Sequence, residues 1–519
     1  MKSRILVSSV CMATAMASPN VASAIDGTKV PDDAFVWQGT DGTDFNTPAN
    51  WKCGEIVRTV APDADMMGAF TSVGGEVTLG ADTSASYLWV QKGISFDLGG
   101  KTLAVVNDLY LCTLTSFDYP RYVFTNGVVN CGGTLRMNFG KSGADFAWFY
   151  GSAKVIGPDT QMNVTGATYA YGRSVSFDVS GGASFNANGA VYVSSKGSVS
   201  DGTGAAFKIS GEGTRANFNH GFSVGLDAGA STLEVCDGAV LNVSGKTSLS
   251  YGDRNCIGRS YSGNSLLVDN ATVNYGVSEA YNLNIGDADN TAITGRNSLI
   301  VTNNAVFNVL ANKDICCGVS IGQYATISNG SIEVYDGGTI SSLGGILLGV
   351  GQTKPCGGHL LNVDDGVVSV SVLQTGNKAG DSNSVVRVAG HRGKILLSSA
   401  SNPCRLNSSV KLRFKIPADG FADVPLQAPN GKVLTTVAGT DPISLEIDAG
   451  DFGRHHGSTK VTLVSAGADS TAAYQELIDN FAHIGPKADA PAGVLSIENG
   501  GKDLCYTTPP RPGLMLILR

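Results

Sequence analysis

Few residues in this 519-residue chain have types and spacing suited to chemistry. His220 sits in Asn-His-Gly-Phe-Ser-Val-Gly (219–225), where it could act as an acid or base at a glycosidic bond. Such cleavage needs two carboxylates flanking the scissile bond. No Asp-Asp or Asn-Thr-Asp pair precedes His220 at a suitable distance and no Arg-x-Lys follows, so a stacked or surface histidine is the expectation. Gly-x-Ser-x-Gly occurs around Ser223 and again around Ser320. A nucleophile elbow needs a strand before the serine and a helix after it, and no helical pattern follows either copy. Ser408 and Lys411 make one Ser-x-x-Lys on a strand-like stretch, a spacing that sends the two side chains to opposite faces.

Metal ligation has two weak candidates. Gly-Asp-Ala-Asp-Asn (286–290) could offer Asp287 and Asp289 to calcium, an oxygen-seeking ion. It lacks the Gly-Gly-x-Gly-x-Asp pattern of calcium-binding rolls, so an exposed turn is the expectation. Asp451, His455 and His456 lie together in Asp-Phe-Gly-Arg-His-His, but adjacent histidines on a strand would face opposite ways. Ten cysteines follow residue 24, with irregular spacing and no Cys-x-x-Cys, which leaves a zinc site unsupported. Buried thiols with one or two bridges are expected, and no cofactor.

The elements that must position these residues are repeats. Thr-Leu-Glu-Val-Cys-Asp-Gly-Ala-Val-Leu-Asn-Val begins at Thr232, and related phrases begin at Ser265, Ser298, Ser331 and His359. The shared Asp/Asn slot is read at Asp237, Asp269, Asn303, Asp336 and Asp365; fainter copies lie at 122–131, 177–186 and 207–218. A second phrase, an apolar residue followed by glycine, recurs at 224, 257, 285, 321 and 348. Short strands broken by Asp-Gly, Asn-Asn or Gly-Gly corners bend the chain, because those residues tolerate left-handed backbone. A β-meander would use such turns as hairpins. A period near 30 residues instead suits one coil of a parallel β-helix, in which equivalent strands stack. Val235, Leu267, Val301, Val334 and Val363 would then form one internal column, and residues 70–400 would hold roughly ten or eleven coils.

The ends depart from the repeat. Residues 1–24 carry Lys2 and Arg4, an apolar run and Ala22-Ser23-Ala24, the pattern of a secretory signal peptide. Residues 25–70 read as an amino-terminal cap and 71–404 as the solenoid. Residues 405–519 read as a β-rich carboxy-terminal cap with one short helix over 472–485. The tail 507–519 reads as a last strand or a sorting signal. No later stretch is long and apolar enough to span a bilayer. A net charge of −8 and the lack of a basic stripe argue against nucleic acid as a partner.

The segment Trp-Gln-Gly-Thr-Asp-Gly-Thr-Asp-Phe-Asn-Thr-Pro-Ala-Asn-Trp (37–51) resembles the opening of bacterial autotransporter passengers and related exported β-helix proteins. The tail from Lys460 to Thr507 looks like the module that closes such passengers, although their translocator barrel has no counterpart in these residues. The resemblance implies a pectin-lyase-like, right-handed parallel β-helix with an all-β core. The His-Gly phrase at His220 is similar to one in polygalacturonases, which share that fold. Two function classes follow. One is a non-catalytic exported or cell-surface adhesin contacting glycans, matrix or cells along its length. The other is a polysaccharide-binding or polysaccharide-cleaving enzyme. The absence of any visible carboxylate-Arg-Lys cluster favours the first, and fold alone warrants neither.

Overall fold

The computed structural model describes residues 30–111, 120–137, 151–172, 174–194, 204–225, 229–249, 252–258, 262–278, 281–288, 296–320, 329–349, 357–376, 383–407, 410–436, 443–484 and 493–510. The expected signal peptide (1–24), Asp289, Ser408 and the end of the tail (511–519) lie outside the described residues.

One coil shows why the sequence folds as it does. In Ser298–Thr302, Leu299 and Val301 are buried while Ser298, Ile300 and Thr302 are half-buried, the period-two alternation of a strand with one face inside. Asn303 and Asn304 then turn the chain with φ of 53° and 59°. This left-handed conformation is open to asparagine because its short polar side chain bonds locally. Val306–Val309 follows and buries Phe307 and Val309. A third strand, Ile315–Ser320, buries Ile315 and Cys317, and Ser331–Tyr335 opens the next coil. Each strand pairs in parallel with its equivalent one coil on: Ile300 opposite Glu333, Phe307 opposite Ile340 and Cys316 opposite Leu347.

The result is an all-β parallel solenoid of about 11 turns, 52% strand and 4% helix. The first face holds Ile315–Ser320, the second Ser298–Thr302 and the third Val306–Val309; with the strands at both ends included, the second and third faces are ladders of 15 and 16 strands. At ~4.8 Å per strand the longer ladders run on the order of 70 Å. The interior is one continuous apolar core. On the second face a single column runs from Val77 through Phe96, Phe124 and Val155 to Val388, Phe414 and Ile447.

Three expectations need correction. The column residue in the coil after Val235 is Val268; Leu267 is its half-buried neighbour and points outward. The corner there is likewise Asn270 (φ 47°), while Asp269 still belongs to the strand. The corner column is therefore Asp237, Asn270, Asn303, Asp336 and Asp365. Reading the first acidic residue as the corner shifted the alignment by one place. In a strand, one place moves a side chain to the opposite face. Second, residue 404 does not end the stacking, because Lys411–Lys415 and Ser444–Asp448 continue the same parallel ladder. Third, the expected helix over 472–485 spans only Thr471–Asp479. Phe481–His483 instead pairs in parallel with Leu445, Glu446 and Ile447, since ladder bonds open at the last coil outweigh helix propensity. A second helix, Gly450–His455, also forms.

The two ends are built differently. At the front, Phe35–Trp37 pairs antiparallel with Trp51–Cys53 and parallel with Met67–Phe70. Trp37, Phe45, Trp51 and Phe70 pack edge-on or tilted, and the Trp51 indole N–H donates to the Phe45 carbonyl at 2.8 Å. Asn50 is fully buried: its side chain donates to the carbonyls of Asp41 and Asp44 and accepts from the Asp41 N–H. Those bonds explain the Asn-Trp of the opening segment. At the back, Lys460–Ala466 pairs antiparallel with Asp503–Thr507, which pairs antiparallel with Val494–Glu498.

Candidate functional site

The residues singled out by type and spacing are not brought together. His220 is exposed in a turn, with no hydrogen bond or ion pair from its side chain among the described residues. Ser223 is fully buried on the strand Phe222–Val224, its hydroxyl 3.0 Å from the Cys256 thiol. It therefore cannot meet a substrate. Ser320 ends the strand Ile315–Ser320 and Asp287 lies in the strand Leu283–Ala288, not in an exposed turn as expected. Lys411 faces the Glu446 carboxylate at 3.7 Å. His455 and His456 are exposed at the end of the helix Gly450–His455, and His456 stacks on Phe452 at 4.7 Å. Among the described residues no three His, Cys, Asp or Glu could hold a metal ion. The eight described cysteines are free thiols, and Cys316 and Cys317 are both buried.

Register assembles what linear spacing hides. The outward column of the second face reads Lys154, Asp178, Lys208, Glu234, Leu267, Ile300, Glu333, Asn362, Arg387, Arg413 and Glu446. Its early part alternates in sign, with Lys154 3.7 Å from Asp178 and Lys208 3.9 Å from Glu234. Its later part is the carboxylate-Arg-Lys cluster absent from the linear sequence. The Tyr335 hydroxyl donates to Glu333, and Asn362 donates to Tyr335 at 3.0 Å. Arg387 donates to Asn362 at 2.6 Å and to Asp364 at 3.0 Å. Arg413 donates to Glu446 at 2.7 Å. Burial, then the bond to Glu333, pushes the Tyr335 phenol above its usual range. Three carboxylates (Glu333, Asp364, Glu446) face three cations (Arg387, Lys411, Arg413), and each carboxylate already has a partner. A general base needs a lone pair aimed at substrate. Each of these carboxylates is tied to a donor of the ladder through at least one oxygen, which suits polar contact better than proton transfer.

The third face carries a different column. Asn130, Asn163, Asn186, Asn217, Asn242, Asn274 and Asn308 stack in register on its outer side. Each later amide donates to the oxygen of the one before it, at 2.7–3.1 Å. Six bonds thus run one way along seven coils.

The first face has aromatic residues, but they are packed. Trp89 stacks on Tyr110 at 5.2 Å, the Arg136 guanidinium lies over Tyr110 and Tyr169, and Tyr169 stacks on Tyr192 at 5.0 Å. Trp89, Tyr110 and Tyr192 are buried, so this column is no open sugar-stacking platform. Tyr275 and Phe307 point inward and are buried.

A last column lies inside the corner between the first and second faces. Asn264 accepts from the Ser231 N–H at 2.9 Å and Asn297 from the Asn264 N–H at 3.0 Å. His359 accepts from the Gly330 N–H through Nδ1 at 3.2 Å. Gly225 and Gly258 (φ 72° and 75°) leave room for the asparagines, since a Cβ on either would lie 2.1 Å from the amide of Asn264 or Asn297. His359 is fully buried, and burial lowers its pKa to about 4, so it stays neutral and can accept.

No family model, curated protein or solved structure matches the chain.

Proposed function

We propose that this chain is a non-catalytic, exported or cell-surface solenoid that makes contact along its length with glycans, matrix or cells. The observation that carries the reading is the outer column of the second face, where charged groups toward both ends of the solenoid are paired in place. Many weak polar contacts along such faces add up, whereas catalysis would need a free acid and base converging on one concave site. His220 stands alone and Ser223 is sealed. Export rests on residues 1–24, and a passenger-like, right-handed coil with a carboxy-terminal cap rests on the resemblance of both ends. No helix among the described residues is long and apolar enough to cross a membrane.

A polysaccharide-active alternative is favoured by one feature, the Glu333–Tyr335–Asn362–Arg387–Asp364 chain on the second face. Incubating the protein with acidic and neutral polysaccharides, and following both retention and release of new chain ends, separates the two. Retention without new ends supports the contact reading. New ends that disappear with Arg387→Ala or His220→Ala would replace it with an enzyme.

A further inference from the structure

The asparagine column leaves hydrogen-bonding capacity unused. An amide has two N–H donors and an oxygen with two lone pairs. Asn186, Asn217, Asn242 and Asn274 each give one N–H and accept one bond within the ladder. Each keeps one donor and one acceptor site, repeated at the strand spacing of ~4.8 Å. Asn163 differs because its oxygen also accepts from Gln161 at 2.8 Å.

The surroundings of the column are nearly uncharged. From Thr102–Val105 to Val367–Val370, ten successive strands of the third ladder each present two outward residues. Among these Arg215 alone is charged, and its long stem can lay the guanidinium aside. Over part of the same stretch, from Lys154 to Glu234, the second face carries alternating lysines and carboxylates.

We propose that the third face is a self-association surface, on which a second copy of this chain packs its own third face about a two-fold axis. Stacked Asn ladders between paired sheets are a known form of dry interface. Three observations favour a second copy over another partner. Its groups repeat at the same spacing by construction, so contacts stay in phase over all the coils. The spare groups are equal numbers of donors and acceptors, which suits an interface where the same patch serves both sides. The face lacks the like charges that would oppose its own image. Ten strands ~4.8 Å apart and ~13 Å long give roughly 600 Å² per copy, about 1,200 Å² in all, the lower bound for a stable specific interface.

The test is sedimentation equilibrium of the full chain over roughly 1–100 μM, a range matched to a micromolar dissociation constant. Thr272→Lys with Val306→Lys places two like charges on the face and leaves every ladder asparagine intact. Ser341→Lys, at an exposed position, is the second variant should the first unfold. The mass should double in the wild type and fall to one chain in either variant, with the far-ultraviolet circular dichroism of the folded chain retained. A single-chain mass at every concentration overturns the proposal. So does a dimer that survives both variants, or a monomer that takes polysaccharide on this face and loses it in the variants.

Discussion

The second and third outer faces are built on the same ladder geometry, yet they solve stacking in opposite ways. On the third face one residue type repeats seven times, because an amide is both donor and acceptor and complements its own copy. On the second face no charge can follow itself without help. Lys154, Asp178, Lys208 and Glu234 alternate in sign. Where Arg387 meets Arg413 in register, each guanidinium has its own carboxylate, Asp364 or Glu446. Register forces side chains together whether or not they attract, so like charges persist in a column where each finds a partner beside it.

The interior corner column offers the largest break of that rule. A histidine stands where asparagines stand in Asn264 and Asn297, and it accepts only while neutral. Its folded pKa of about 4 lies below the ordinary 6.5. The stability it contributes is therefore fully present above pH ~6.5 and is lost as pH falls toward 4, on the order of 3 kcal/mol. Denaturant titrations across that window should show the decline, and His359→Asn should flatten it while changing neutral-pH stability by no more than about 1 kcal/mol.

On the second face, Glu446→Ala strands Arg413 and Lys411. Because both cations are more than a third exposed, the expected cost is about 2 kcal/mol, below that of a fully buried pair. On the third face, Asn217→Asp removes the donor to Asn186 and sets a carboxylate against its oxygen. A loss of about 1.5 kcal/mol at neutral pH is expected. Protonation restores the donor, so this variant should recover stability on acidification, opposite in sign to His359. Smallest is Lys208→Glu, which puts three like charges in a row. It should cost up to ~1 kcal/mol at low salt and little at high salt.

Much of this architecture was legible in the sequence, and the limits are physical. Apolar alternation and Asp/Asn-Gly corners announce coils, because burial and left-handed backbone restrict residue type strongly. The corner at Asp269-Asn270 is ambiguous in the sequence because Asp and Asn both suit a corner and the phrase there holds both. The third-face column is visible as an Asn before the last apolar residue in Leu-Asn-Val, Val-Asn-Tyr and Phe-Asn-Val, a weak signal because outward polar residues are common. The charged cluster was not legible. Glu333, Arg387 and Glu446 are each 50 or more residues from the next, and only the coil register joins them.

The most direct test of stacking in register is a pair of double-mutant cycles built from Asn217→Ala, Asn242→Ala and Asn308→Ala. Asn217 and Asn242 are bonded neighbours, while Asn308 lies three coils from Asn217. Coupling of about 1 kcal/mol for the first pair and near zero for the second is predicted. Equal coupling in both pairs, or none in the first, would contradict the ladder on which this account stands.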